Sequence, residues 1–151
     1  NLRVDLINKT FNKNFMIEIN YWAVLAAGAA GMVVGAIWYG PLFGRLWMGL
    51  SGMNQEKISQ MKGRGMAKAY TSAFIMVLVM AFVLAQFIQV FEAEDASGAF
   101  QLTFWIWLGF LVPLLLSPVI WQDKRLKLFV FDSAHYLLTV YVMALVLTLW
   151  K

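Results

Sequence analysis

Residues 69–91 read AYTSAFIMVLVMAFVLAQFIQVF, without one Asp, Glu, Lys, Arg or His. A helix rises 1.5 Å per residue, so about 20 apolar residues cross the roughly 30 Å of hydrocarbon in a bilayer. No polar stripe recurs at helical spacing, as it would on a helix of a soluble bundle. No alternation over about 10 residues marks a barrel strand either. The stretch is a membrane-spanning helix, and the rest of the chain repeats the pattern. Residues 21–43, 100–121 and 128–150 are equally long and apolar. The first and third spans are also free of those five residue types, whereas the fourth carries Asp132 and His135. The fold class is therefore all-α, a polytopic membrane protein with four transmembrane helices.

Composition agrees. Of the 151 residues, 62% are hydrophobic and 13% charged, against about half and about a quarter in soluble domains. One domain of this size has too small an interior for that much apolar surface, so the excess faces lipid. Residues 16–151 form a single four-helix domain. Residues 1–15 are a polar, basic tail without the apolar core of a signal peptide, and Met16 is a candidate start. There are no cysteines, which excludes disulfides, thiolate metal sites and thiol nucleophiles within this sequence.

The net charge of +4 sits in short segments between spans, which is how membrane topology is set, so no nucleic-acid partner is expected. Loop 44–68 holds Arg45, Lys57, Lys62, Arg64 and Lys68 against Glu56, and loop 122–127 holds Lys124, Arg125 and Lys127 beside Asp123. Loop 92–99 holds Glu92, Glu94 and Asp95 and no basic residue. The positive-inside rule puts loops 44–68 and 122–127 in the cytoplasm, and loop 92–99 and the C-terminus outside a bacterial cytoplasmic membrane. Arg3, Lys9 and Lys13 oppose this arrangement unless the chain starts at Met16. Within the first loop, Asn54 can cap a short amphipathic helix over 55–62, with Met53 and Ile58 as a hydrophobic staple and Gly63 and Gly65 at its end. Such a helix rests on anionic head groups, or else serves as a solvated connector.

Four groups of residues invite a role. Ala27, Gly31 and Gly35 place small residues four apart on span one, which lets another helix approach closely. Packing inside one subunit is favoured over a dimer interface, and span one is expected to be a central helix. Pro113 and Pro118 in span three each remove an amide donor, freeing the carbonyls of Gly109 and Leu114, and kink the helix. Broken helices line transporter sites, although kinks are also ordinary in membrane proteins.

Asp132, His135 and Tyr136 lie three and four residues apart on one face of span four, with Ser133 beside them. An ionisable residue inside a span is a functional candidate by default, here for a proton or ligand. A structural role near the interface, where snorkelling lowers the cost, is the bland alternative. One His and one Asp are too few for a metal site, and no cofactor is expected. Gln86, Gln89 and Gln101, with Thr103, form an outer polar cluster expected to hydrogen-bond between helices. No phosphate loop, nucleophile elbow, zinc motif or paired-carboxylate site occurs, so no catalytic residue is assigned and no enzyme is expected.

Several phrases are distinctive: NYWAV at 20–24, IWYGPLFG at 37–44 with Trp47-Met48, MAKAY at 66–70, VMAFVL at 79–84, FWIWLGF at 104–110, and Trp121 before a short basic loop. Together they resemble a bacterial family of four-helix membrane proteins defined only as a domain of unknown function (DUF1761). The resemblance covers about Glu18 to Lys151 and implies the four-span architecture. It implies no activity and carries over no catalytic residue. Asp132 stands where the resemblance leads us to expect an uncharged polar residue, which argues against a shared function there.

The resulting expectation is an accessory or structural membrane component whose partners are the bilayer and a homo-oligomer or larger membrane complex. The alternative is a small homo-oligomeric transporter. Four-helix multidrug exporters, however, rely on a carboxylate buried in the first helix, and the nearest acid here, Glu18, lies outside the span. A membrane enzyme using Asp132 and His135 is a distant third.

Overall fold

A computed structural model describes residues 19–53 and 65–150, together with 56, 59 and 60 between them. The described chain is helical throughout. It comprises α1 (Tyr21–Ile37) running into a π-helical turn (Trp38–Leu42), α2 (Gly44–Ser51), α3 (Met66–Val90), α4 (Ala96–Ile106) running into a second π-helical turn (Trp107–Leu111), α5 (Val112–Gln122) and α6 (Leu126–Leu149). Four helical segments are long and apolar enough to cross a membrane: Tyr21–Leu42, Met66–Val90, Ala96–Gln122 and Leu126–Leu149. These are spans one to four, and each overlaps the stretch read from sequence.

Side chains set the starts of two of them. The Asn20 carboxamide accepts from the amides of Trp22 and Ala23 at 3.1 and 3.2 Å and caps α1. Asp95 accepts from the Gly98 amide at 2.7 Å and caps α4. At the other end of span three, Asp123 adopts a left-handed conformation (φ 53°) and Lys124 N–H turns back to the Pro118 carbonyl at 3.3 Å. This closure satisfies a terminal carbonyl and reverses the chain into span four.

Span one, expected to be a central helix, packs chiefly against two other spans, and span four packs against all three. α6 packs against α1, α3, α4 and α5, whereas α1 packs chiefly against α6 and α3. The reason lies in the distribution of buried positions. Those of α6, from Phe131 and Ser133 through Thr139 and Met143 to Thr148, run around most of its circumference. Those of α1 (Ala23, Val24, Ala27, Gly28, Gly31) form one stripe. That stripe is used inside the chain. A Cβ on Gly31 would stand 2.9 Å from Met143 Sδ and 3.0 Å from Val77 Cγ1, so the backbone of α1 rests directly on α6 and α3. Ala27, Ala81, Met143 and Ala144 are completely buried there, closing the centre of the bundle with side chains.

Helix α2 is an element the sequence reading placed in a loop. Gly44, Gly49 and Gly52 have low helix propensity, yet tertiary contacts outweigh it. The Trp47 ring meets Tyr39 edge-on at 5.7 Å, and Arg125 Nη1 donates to the Gly49 carbonyl at 3.0 Å. Gly52, at φ +70°, ends the helix in the conformation that glycine adopts without penalty. The amphipathic helix expected over 55–62 lies for the most part outside the described residues.

Candidate functional site

The site begins with a break in span one. Pro41 has no amide to continue the helix, and its ring crowds the Ile37 carbonyl. The residue before a proline is pushed out of the α region, and Gly40 sits at φ −103°, ψ −107°. The Phe43 amide reaches back five residues to the Trp38 carbonyl at 3.1 Å, and Trp47 N–H to Phe43 O at 2.9 Å starts α2. The turn is tight. A Cβ on Gly44 would lie 2.9 Å from the Tyr39 carbonyl oxygen, so only glycine fits without a shift.

This break brings Trp38 and Tyr39 against α6. The Tyr39 hydroxyl donates to Asp132 Oδ1 at 2.8 Å and lies 3.5 Å from His135 Nδ1. On the other side of the imidazole, Nε2 lies 3.2 Å from Thr139 Oγ1, and that hydroxyl donates to the His135 carbonyl at 2.9 Å. Each hydroxyl has one proton to give, and both are committed. Both ring nitrogens therefore face oxygen lone pairs, and a neutral imidazole, with a single N–H, can donate to only one of the two hydroxyls. Aromatic rings enclose the group. Trp38 lies 5.5 Å from Phe131 and 5.8 Å from His135, and Tyr39 meets His135 edge-on at 4.7 Å. His135 is 7% exposed, and Gly35 leaves it room, with a hypothetical Cβ 3.6 Å from Nε2.

Asp132 also faces outward. Between α5 and α6, at the basic end of the molecule, a cavity of about 170 Å3 is lined by Leu115, Pro118, Lys124, Arg125, Leu128 and Asp132, among others. The carboxylate thus belongs both to the enclosed cluster and to an opening beside the basic loop.

Span three breaks at the same level of α6. The Val112 amide reaches back five residues to the Trp107 carbonyl, and this wider turn makes room for Pro113, which follows directly. The Trp107 indole then donates to the Ser133 carbonyl at 2.8 Å. Ser133 directly follows Asp132, so both π turns hydrogen-bond to the same turn of α6. Both read Trp-x-Gly-x-Leu, in residues 38–42 and 107–111. Such turns interrupt helices most often at functional sites. Two buried polar atoms at this level, Trp38 Nε1 and Ser133 Oγ, have no partner.

The candidates from sequence fall out unevenly. Asp132 and His135 come together, but through Tyr39, which sequence spacing did not single out as a partner. Tyr136 meets His135 only ring to ring, at 5.3 Å, outside the hydrogen-bonded chain. Pro113 accompanies the π turn, and Pro118 lines the cavity with Asp132. At the far end, Gln89 lines a second pocket of about 440 Å3 with Asn20, Glu92, Glu94 and Trp150. Gln86 is half-buried and Gln101 exposed, and Thr103 bonds to carbonyls of its own helix at 2.8 and 3.1 Å. At this end Thr148 Oγ1 on α6 donates to the carbonyl of Ala93, in the loop between α3 and α4, at 3.4 Å. Among the described residues no three His, Asp or Glu side chains converge in a way that would hold a metal ion.

A sequence model of one family, described as a protein of unknown function (DUF1761), matches residues 22–148. No curated protein and no solved structure matches the chain. The match takes in both broken spans, the Tyr39–Asp132–His135 cluster and every buried core residue from Ala23 to Leu147, and the chain belongs to the DUF1761 family.

Proposed function

We propose that this chain is an accessory or structural component of a larger assembly in the bacterial cytoplasmic membrane, with its basic end in the cytoplasm. The observation that carries this reading is the state of span three. Only 6% of its apolar window is buried within the chain, against 44% for span four. Trp105, Phe110, Leu114 and Ile120 all face away from the other spans, and Gly109 has nothing within 4 Å of a hypothetical Cβ. A neighbouring helix can approach closely at such a position, and close approach is a main source of helix association in lipid. The centre of the chain is filled by Ala27, Ala81, Met143 and Ala144, all completely buried. In this reading the two π turns and the cluster around Asp132 lock the broken spans onto α6.

A small homo-oligomeric transporter is the second reading, favoured by one specific observation. Asp132 stands between a cavity at the basic end and a buried imidazole, where a carboxylate can exchange a proton or cation with the aqueous side. The enzyme reading has less support, because His135 is 7% exposed and does not line the cavity beside Asp132.

Native mass spectrometry of the protein released gently from its own membrane tests the proposal. A discrete complex with other membrane proteins is the expected result. A homo-oligomer alone, paired with flux of protons, cations or lipophilic amines into reconstituted vesicles, would replace it with the transporter reading.

A further inference from the structure

The cavity beside Asp132 presents charges of both signs to one small space. Its walls are apolar at Leu115, Pro118 and Leu128, and it is also lined by Lys124, Arg125 and Asp132. At about 170 Å3 it is smaller than the roughly 300–1,000 Å3 pockets that take drug-sized ligands. It is several times the ~30 Å3 that a water molecule occupies. The space suits a single polar headgroup whose tails run out along the apolar flanks of α5 and α6.

The positive part is built from two sources. Lys124 and Arg125 supply cationic side chains. Arg125 spends one N–H on the Gly49 carbonyl, which fixes the guanidinium in place and leaves further donors. Arg125 is also the extended residue before α6, and no side chain caps that helix. The amides of Leu128 and Phe129 turn back to the Arg125 carbonyl at 3.0 and 3.3 Å. Those of Leu126 and Lys127, in the first turn, have no carbonyl to reach within the helix. Exposed amides and the helix dipole favour an anion at this point.

The negative part is Asp132. Its Oδ1 is held by Tyr39, and a carboxylate retains accepting capacity at the other oxygen. Helical side chains lean toward the N-terminus, so this carboxylate lies over the turn before it, facing Leu128 and Phe129. Lys124 acts on Asp132 electrostatically, and both line the same cavity with Arg125. A ligand carrying one anionic and one cationic group, a short link apart, completes both halves.

We propose that this cavity binds the phosphoethanolamine headgroup of a membrane phospholipid, with the phosphate at Lys124, Arg125 and the first turn of α6, and the primary ammonium at Asp132. Basic pockets between spans on the cytoplasmic side are established places for headgroups. The carboxylate adds selectivity. A primary ammonium donates hydrogen bonds to it, a choline cannot, and a glycerol headgroup brings no positive charge. The inference goes beyond the accessory role and holds whether or not the chain has protein partners.

The test is native mass spectrometry of the full chain in micelles supplied with equal amounts of phosphatidylethanolamine, phosphatidylcholine and phosphatidylglycerol. The ethanolamine lipid is expected to be retained about tenfold over the choline lipid, which corresponds to about 1.4 kcal/mol. Asp132→Asn keeps an oxygen for Tyr39 to bond and is expected to erase that preference. Lys124→Ala, outside the hydrogen-bonded cluster, is expected to lower retention of all three lipids. Equal retention of ethanolamine and choline lipids, or lipid binding unchanged in both variants, overturns the proposal. Displacement of the lipid by an equal concentration of free phosphoethanolamine also overturns it, assigning the site to a soluble metabolite. A missing protein partner leaves this lipid pattern untouched, so the two proposals fail separately.

Discussion

The hydroxyl of Tyr39 donates to Asp132 Oδ1 over 2.8 Å, joining the broken end of span one to span four across 93 positions of sequence. Around this bond the aromatic rings of Trp38, Phe43 and Phe131 close over His135. The bond therefore ties the chain's most distinctive sequence motif to the one acidic residue within its four membrane-length helices.

Tyr39→Phe removes the donor and leaves the carboxylate in place. Interhelical hydrogen bonds in membrane proteins contribute about 0.6 kcal/mol on average and up to about 1.7, and the loss is expected within that range. Reversible unfolding in mixed micelles measures it. A variant as stable as the parent would show that the contact holds nothing together.

Gly31→Val puts two methyl groups where a Cβ alone would already stand 2.9 Å from Met143 Sδ and 3.0 Å from Val77 Cγ1. Overpacking of this kind costs about 1–3 kcal/mol. Gly109→Ala, with nothing within 4 Å, is expected to leave the stability of the isolated chain unchanged. The same unfolding assay compares the two, and equal effects would mean that α1 does not rest on α6 and α3 as described.

Gly44→Ala drives a methyl into the Tyr39 carbonyl oxygen, 2.9 Å away. Backbone cannot swing aside as a side chain can, so the turn must open, at a cost of about 1–3 kcal/mol. The expected signature is combined. Stability falls, and adding Tyr39→Phe costs less in this background than alone, because the opened turn has already displaced the hydroxyl. Full additivity of the two changes would separate the turn from the cluster.

The sequence contains no cysteine, so single introduced thiols report sidedness without background. Asp95→Cys is expected to react with a membrane-impermeant maleimide in intact cells, and Ser51→Cys and Asp123→Cys only after permeabilisation. The reverse pattern would invert the orientation that the basic loops dictate.

The spans were legible because lipid imposes a requirement that composition alone reveals: long uncharged stretches with every backbone group satisfied within the helix. Asp132 and His135 were legible because an ionisable residue inside a span stands out, and their spacing of three puts them on one face. Tyr39 was not legible as their partner. It lies in another span, and it reaches them only because Pro41 and Gly44 turn the chain there. The motif around it was visible as a family signature, while its physical purpose was not. The same holds for Trp107, whose bond to the Ser133 carbonyl depends on the π turn before Pro113. The centrality of span four was hidden because small residues announce close packing but not how many neighbours share it. Helix α2 was not legible because it rests on contacts with Tyr39 and Arg125 that the local sequence does not show.

The most direct test of the central claim is photo-crosslinking in cells from single cysteines carrying a benzophenone maleimide, at Leu114 on span three and at Met76 on span two. Both positions are exposed, 70% and 72% respectively, so both reach whatever surrounds the chain. An accessory component docked through span three predicts a discrete crosslink to another membrane protein from position 114 and lipid adducts alone from position 76. Lipid adducts alone from both positions, or crosslinks only to further copies of this chain, would contradict it.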